Sequence, residues 1–78
     1  MKPYMTTKTV DATGLFCPGP VQVLKGVIKR VGSGDSVELL ADDSDSKIDV
    51  QEFCDEEGHS LESVTENDGV ITFKVVKK

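Results

Sequence analysis

The spacing of apolar residues predicts a first helix near the middle of the N-terminal half. Between residues 18 and 31 the apolar residues recur every three or four positions, which is the period of one helix face. They are Val21, Leu24, Val27, Ile28 and Val31. Polar residues lie on the opposite face. We therefore expect an amphipathic surface helix that begins at Pro18, followed by Gly32 at its C-terminal end.

A second, shorter helix is predicted over residues 50–57. Asp49 and Glu52 have the spacing of a capping box, in which two side chains accept hydrogen bonds from free backbone amides at a helix start. Gly58 suits the left-handed conformation that ends many helices. One face of this helix carries Val50, Phe53 and Cys54. Cys54 is therefore expected to pack in the core.

Alternation of apolar and polar residues predicts four strands, over residues 8–11, 36–41, 61–66 and 70–76. Asn67-Asp68-Gly69 separates the last two, and an Asp-Gly pair is typical of a hairpin turn. These two strands should be antiparallel neighbours. The alternation in the last strand further predicts that Ile71, Phe73 and Val75 face the helices. Residues 1–7 carry no such pattern and are expected to form a loosely ordered start to one domain, residues 1–78.

Cys17 stands immediately before Pro18, Gly19 and Pro20. Proline is tolerated in the first turn of a helix, where the backbone amides have no intrahelical partner, so the two prolines place Cys17 at the N-cap. Pro20 has no amide hydrogen, and the Gly19 N–H is the expected donor to the sulfur. The partial positive charge of the helix N-terminus also favours a thiolate. That effect is worth about 0.3–1 kcal/mol, less than a tenfold change in ionisation, so Cys17 is a candidate nucleophile of moderate reactivity. The alternative is a small buried cysteine.

The composition argues against several classes of function. The 78 residues carry a formal net charge of −5, and eight of the fourteen acidic residues lie between Asp42 and Glu57. Direct binding to nucleic acid needs a basic surface and is not expected. No apolar run reaches the roughly 18 residues of a membrane-spanning helix, and residues 1–7 lack the apolar stretch of a signal peptide. We expect a cytoplasmic protein that does not bind membranes.

Metal and cofactor sites are not indicated either. Two cysteines and one histidine are too few for a four-ligand zinc site. The aspartate-rich segment 42–47 lacks the ligand spacing of an EF-hand. No acid–base constellation accompanies Cys17, so any turnover would have to come from partner proteins.

Several of these residues together resemble the TusA/SirA family of small sulfur-carrier proteins. The resemblance lies in Asp11-Ala12, Gly14-Leu15 and Cys17-Pro18-Gly19-Pro20, followed by a helix, a strand, an acidic loop, Ile48 and Phe53-Cys54, and it extends over residues 9–78. It implies an α/β (α+β) two-layer sandwich of order β-α-β-α-β-β, with a four-stranded mixed sheet and both helices on one face.

The resemblance also implies a function. The family's cysteine, here Cys17, would carry a persulfide from a sulfur-donor protein, such as a cysteine desulfurase or a sulfurtransferase, to an acceptor protein. Such a chain is a carrier rather than a stand-alone enzyme, and we expect a monomer without a cofactor. Family members serve tRNA thiolation, molybdenum-cofactor supply or sulfur oxidation, and the sequence favours none of these.

Two other classes of function stay open. Cys54 is a possible second thiol, and with Cys17 it would make a thiol–disulfide redox module. The third class is a non-catalytic regulatory or interaction domain. Detection of a persulfide, of a Cys17–Cys54 disulfide, or of neither would discriminate the three.

Overall fold

The computed structural model describes residues 7–16 and 19–78. Its elements are β1 (Thr7–Asp11), α1 (Gly19–Ile28), β2 (Ser36–Ala41), α2 (Ser46–Glu57), β3 (Ser60–Asn67) and β4 (Val70–Val76). This is the predicted β-α-β-α-β-β order. The expectation of a loosely ordered start over residues 1–7 is wrong for Thr7, which belongs to β1. Residues 1–6 lie outside the described residues.

The four strands form one mixed sheet in the order β1-β2-β4-β3. β1 and β2 are parallel, whereas β4 is antiparallel to both β2 and β3. The predicted pairing of the last two strands is confirmed. Because β1 and β2 are parallel neighbours, their C-terminal ends lie at the same end of the sheet. The segments that follow these two strands therefore begin side by side.

One face of the sheet packs against both helices, as predicted. The strand residues on this face are all buried: Val37, Leu39 and Ala41 of β2, and Ile71, Phe73 and Val75 of β4. They share one core with Val21, Leu24 and Ile28 of α1 and with Val50, Phe53 and Cys54 of α2. The residues that alternate with them along β4 are only half-buried. The molecule thus has two layers, sheet and helices.

α1 is shorter than the sequence pattern predicts. It ends at Ile28, and the chain continues in a turn in which the Arg30 amide donates to the Val27 carbonyl at 2.9 Å. The prediction that Gly32 ends the helix is wrong, because the left-handed conformation after α1 is at Gly34, with φ 88°. Val31 still packs against the core although it is not helical, which is why the apolar period extends beyond the helix.

α2 begins one turn earlier than predicted, at Ser46. The capping box at Asp49 is therefore wrong, and Asp49 lies within the first turn. Asp45 is the N-cap residue without a side-chain cap bond, and the buried Ser46 hydroxyl donates to the Asp43 carbonyl at 2.5 Å. At the other end, Gly58 has φ 80° and donates its amide hydrogen to the Cys54 carbonyl. This C-terminal end is confirmed.

The turn between β3 and β4 has the predicted chemistry. Asp68 has φ 52° and Gly69 has φ 80°. Two consecutive positive φ angles are the mark of a type I′ turn, whose twist matches that of the flanking strands. No helix in residues 7–16 and 19–78 is long and apolar enough to cross a membrane.

Candidate functional site

Two loops meet beyond the parallel strands, and one of them leads to Cys17. Residues 12–16 follow β1, and residues 42–45 follow β2. The Ala12 amide donates to the Leu40 carbonyl at 2.8 Å, which continues the strand pairing past the end of β1. The Gly14 amide lies 3.0 Å from each carboxylate oxygen of Asp42. The loop before Cys17 is therefore held against the end of β2.

Asp11 and Gly14 shape this loop from within. The Asp11 Oδ1 atom accepts hydrogen bonds from the Thr13 hydroxyl at 2.6 Å and from the Thr13 amide at 2.9 Å. These two bonds stabilise the carboxylate and hold the pKa of Asp11 below its usual value. Gly14 has φ 84°, a left-handed conformation that favours glycine. The chain is thereby turned away from the sheet toward the start of α1.

Cys17 and Pro18 lie outside the described residues, so the N-cap position and the accessibility of Cys17 stay predictions. The residues on both sides are described. The Gly19 amide donates to the Phe16 carbonyl at 2.6 Å. This amide hydrogen therefore already has a backbone acceptor three residues earlier, and its expected bond to the Cys17 sulfur lies outside the described residues. Pro20 is the second residue of α1 and is buried, which agrees with its predicted place in the first turn.

The two apolar residues before Cys17 have different environments. Leu15 is 40% exposed, and a Cβ atom on Gly19 would come within 3.0 Å of the Leu15 Cβ. Leu15 therefore packs against the first turn of α1, where glycine leaves room for it. Phe16 is 84% exposed. Phe16 therefore faces solvent, directly before the candidate nucleophile in the sequence, and does not fill the space under the helix.

Cys54 has the opposite environment from the one predicted for Cys17. It is 1% exposed, on the face of α2 that joins the core. Burial raises the pKa of this thiol to about 11, and the neighbouring Asp55 carboxylate contributes to the shift. A thiol that is protonated at neutral pH and shielded from solvent is a poor nucleophile. The predicted burial of Cys54 is confirmed.

Asp42 is the site residue that the sequence pattern did not single out. Its carboxylate accepts a hydrogen bond from Gly14, which lies 28 positions earlier in the chain. No local spacing of residues indicates such a contact. Only an indirect feature of the sequence could have indicated this contact. An aspartate directly after one strand can reach the loop that follows a parallel neighbouring strand. Across residues 7–16 and 19–78, no group of three or more His, Cys, Asp or Glu residues is placed to hold a metal ion.

Comparisons with known proteins agree on one family. The family model described as sulfurtransferase TusA matches residues 8–77. The sulfur carrier protein TusA of Pseudomonas putida (strain GB-1) is 31% identical over 78 residues, which cover 100% of this chain and 98% of that protein. A Neisseria meningitidis serogroup A protein, described as a candidate sulfur carrier, is 38% identical over 74 residues, covering 95% of this chain and 100% of its own.

The fold has a close match among solved structures. The crystal structure of a SirA-like protein from Desulfitobacterium hafniense superposes with a TM-score of 0.79 at 33% sequence identity. The match covers 87% of this chain and 93% of that one.

Proposed function

Because this chain belongs to the TusA family of sulfur carriers, we propose that Cys17 accepts sulfur as a persulfide from a donor protein and passes it to an acceptor protein. The observation that carries the proposal is the burial of Cys54. The chain has two cysteines, and one of them is 1% exposed with a pKa of about 11. Cys17 is then the thiol available for exchange with a partner.

The transfer needs no oxidant or reductant. The Cys17 thiolate attacks the terminal sulfur of the donor's persulfide, so that a new S–S bond forms to the Cys17 Sγ atom. The S–S bond of the donor breaks, and the donor's cysteine leaves as a thiolate. In the second step a nucleophile of the acceptor attacks the same terminal sulfur, and Cys17 returns to the thiolate. Each step exchanges one S–S bond for another bond to sulfur.

The buried environment of Cys54 supports this chemistry. A second thiol close to a persulfide would attack the inner sulfur, expel the outer one as hydrogen sulfide and form a disulfide. A Cys54 thiol that is buried and protonated resists this reaction. We place the protein in the cytoplasm, where thiols are kept reduced, and we propose that its partners are the sulfur donor and acceptor rather than nucleic acid.

The test is intact-protein mass spectrometry after incubation with a cysteine desulfurase and cysteine. The wild-type protein and Cys54→Ser should gain the mass of one sulfur atom, and Cys17→Ser should gain none. Loading of Cys17→Ser would contradict the assignment. A much longer lifetime of the loaded Cys54→Ser variant would favour the thiol–disulfide module. Failure of the wild type to load from the desulfurase, from a thiosulfate-fed sulfurtransferase and from inorganic polysulfide would favour the interaction domain.

A further inference from the structure

A groove of about 220 Å³ lies between α1 and α2. Its floor is apolar, formed by Val21 of α1 and Phe53 of α2, each 7% exposed. Polar and charged side chains complete the lining: Gln22, Lys25, Asp49, Glu52 and Glu56. The groove thus combines a small apolar surface with a charged rim.

The rim carries a surplus of negative charge. Asp49, Glu52 and Glu56 are three and four positions apart, so they lie along one flank of α2. Lys25 is the basic residue among the lining side chains. Glu52 and Glu56 alone bring two negative charges to the lining, against the one positive charge of Lys25. This surplus favours a ligand that brings positive charge.

The position of Lys25 indicates which chemical group of the ligand would fit the groove. Its Nζ atom lies 5.8 Å from the centroid of the Phe53 ring, which is a cation–π distance. An alkyl ammonium group therefore already lies over the aromatic floor. A lysine or arginine from another protein could pack its aliphatic stem on the same floor and pair its charged head with the carboxylates of the rim.

The groove begins at the end of the molecule that leads to Cys17. α1 and α2 each follow one of two parallel neighbouring strands, so both helices begin at the same end of the sheet. Val21 is the third residue of α1, and Asp49 lies in the first turn of α2. The segment 12–16 precedes Cys17 at that end. A protein bound in the groove is therefore held beside the first turn of α1, which begins two residues after Cys17 in the sequence.

We infer that this groove is the docking site for a basic segment, bearing lysine or arginine, of the protein that loads Cys17 with sulfur. The inference rests on the proposed function, to which it adds the chemistry of the donor's contact surface. Charge complementarity identifies the occupant: Glu52 and Glu56 would repel an acidic segment, whereas they would pair with a lysine or arginine.

The test compares two double variants of α2 that change the charge equally. Glu52→Gln with Glu56→Gln removes two charges from the groove. Asp55→Asn with Glu57→Gln removes two charges from the same helix at positions that do not line it. At subsaturating donor, we expect loading of Cys17 by cysteine desulfurase to slow roughly fivefold in the groove variant. The control variant should stay within about twofold of the wild type.

Loading by inorganic polysulfide separates this inference from the proposed function, because a small donor needs no docking. Both variants should load from polysulfide like the wild type. If neither polysulfide nor the protein donors load even the wild type, the proposed function is wrong. If polysulfide loads all three proteins and the desulfurase loads the two variants at equal rates, the docking inference is overturned. The proposed function then still stands.

A binding measurement tests the groove without any sulfur chemistry. The probe is a synthetic amphipathic peptide of lysine and leucine, titrated into the ¹⁵N-labelled protein. We expect amide shifts around Val21, Lys25 and Phe53, weakened in the groove variant and kept in the control variant. A peptide with glutamate in place of lysine should cause none. Shifts that avoid these residues, or equal shifts with both peptides, would contradict the inference.

Discussion

The environment of Cys54 gives the folded state a measurable dependence on pH. The thiol is 1% exposed and lies in the core cluster with Val50 and Phe53. Burial, with a further contribution from Asp55, raises its pKa from 9.0 to about 11. The folded protein therefore favours the neutral thiol more strongly than the unfolded chain does.

The sign of the effect on stability follows from proton binding. Between pH 9 and about 11 the unfolded chain releases the Cys54 proton while the folded protein keeps it, so the free energy of unfolding falls as pH rises through this range. Below pH 9 the contribution is complete. We expect urea unfolding of the wild type to show a steeper decline across this range than Cys54→Ala. Parallel declines in the two proteins would rule out this contribution from Cys54.

At the same scale, the sequence predicts only the local part of the candidate site. Cys17 stands out because the Cys-Pro-Gly-Pro segment restricts the backbone to a helix start. The contact of Asp42 with Gly14 depends on the strand order, since it joins residues 28 positions apart. The bond from the Gly19 amide to the Phe16 carbonyl depends on the tightness of one turn. Neither hydrogen bond can be predicted from the spacing of residues or from the composition.

At the scale of elements, two glycines should respond in opposite ways to the same substitution. Gly26 lies within α1, and a Cβ atom there would meet nothing within 4 Å. Gly26→Ala should therefore raise the free energy of unfolding by about 0.5–1 kcal/mol, because alanine loses less backbone entropy on folding. Gly69 also has open space but has φ 80°. Gly69→Ala should lower stability by about 1–2 kcal/mol.

Urea unfolding of the two variants beside the wild type measures both effects. Space around the added methyl group is open at both positions, so the difference in sign reports backbone conformation alone. Changes of the same sign would contradict the assigned conformations of α1 or of the β3–β4 turn.

Element types were more predictable than element ends. The alternation over 36–41 and 70–76 coincides with β2 and β4, because one face of each strand is buried and the other is not. The hydrophobic pattern does not indicate the start of α2, because the first turn begins with Ser46 and Lys47, which are polar. Ser46 is nonetheless buried and bonded to the Asp43 carbonyl. Burial of a hydroxyl depends on a partner that a hydrophobic pattern does not reveal.

At the scale of the whole molecule, the residues that stabilise the fold and the residues that carry the charge are largely different. The core consists of apolar side chains and Cys54, while the acidic residues of α2 lie at its surface or half-buried. The ion pair between Lys47 and Glu66, at 2.9 Å, joins two exposed side chains, and such pairs contribute little to stability. The net charge of −5 should therefore influence association more than folding.

This separation predicts opposite salt effects on the two routes of sulfur loading. Raising the ionic strength from about 0.01 M to about 0.15 M shortens the Debye length from about 30 Å to about 8 Å. Loading by a desulfurase that docks through a basic segment should slow several-fold, because screening weakens the attraction between the partners. Polysulfide is an anion that the acidic protein repels, so screening should speed its reaction with Cys17.

Alkylation by iodoacetamide, which is uncharged, provides the baseline for this comparison. Its rate should change little with salt, and any drift measures a change in the reactivity of the Cys17 thiol itself. After that correction, the protein donor and the anionic donor should show slopes of opposite sign. If desulfurase loading also becomes faster with salt, the donor does not approach through the acidic surface of α2, because screening can accelerate only an encounter between like charges.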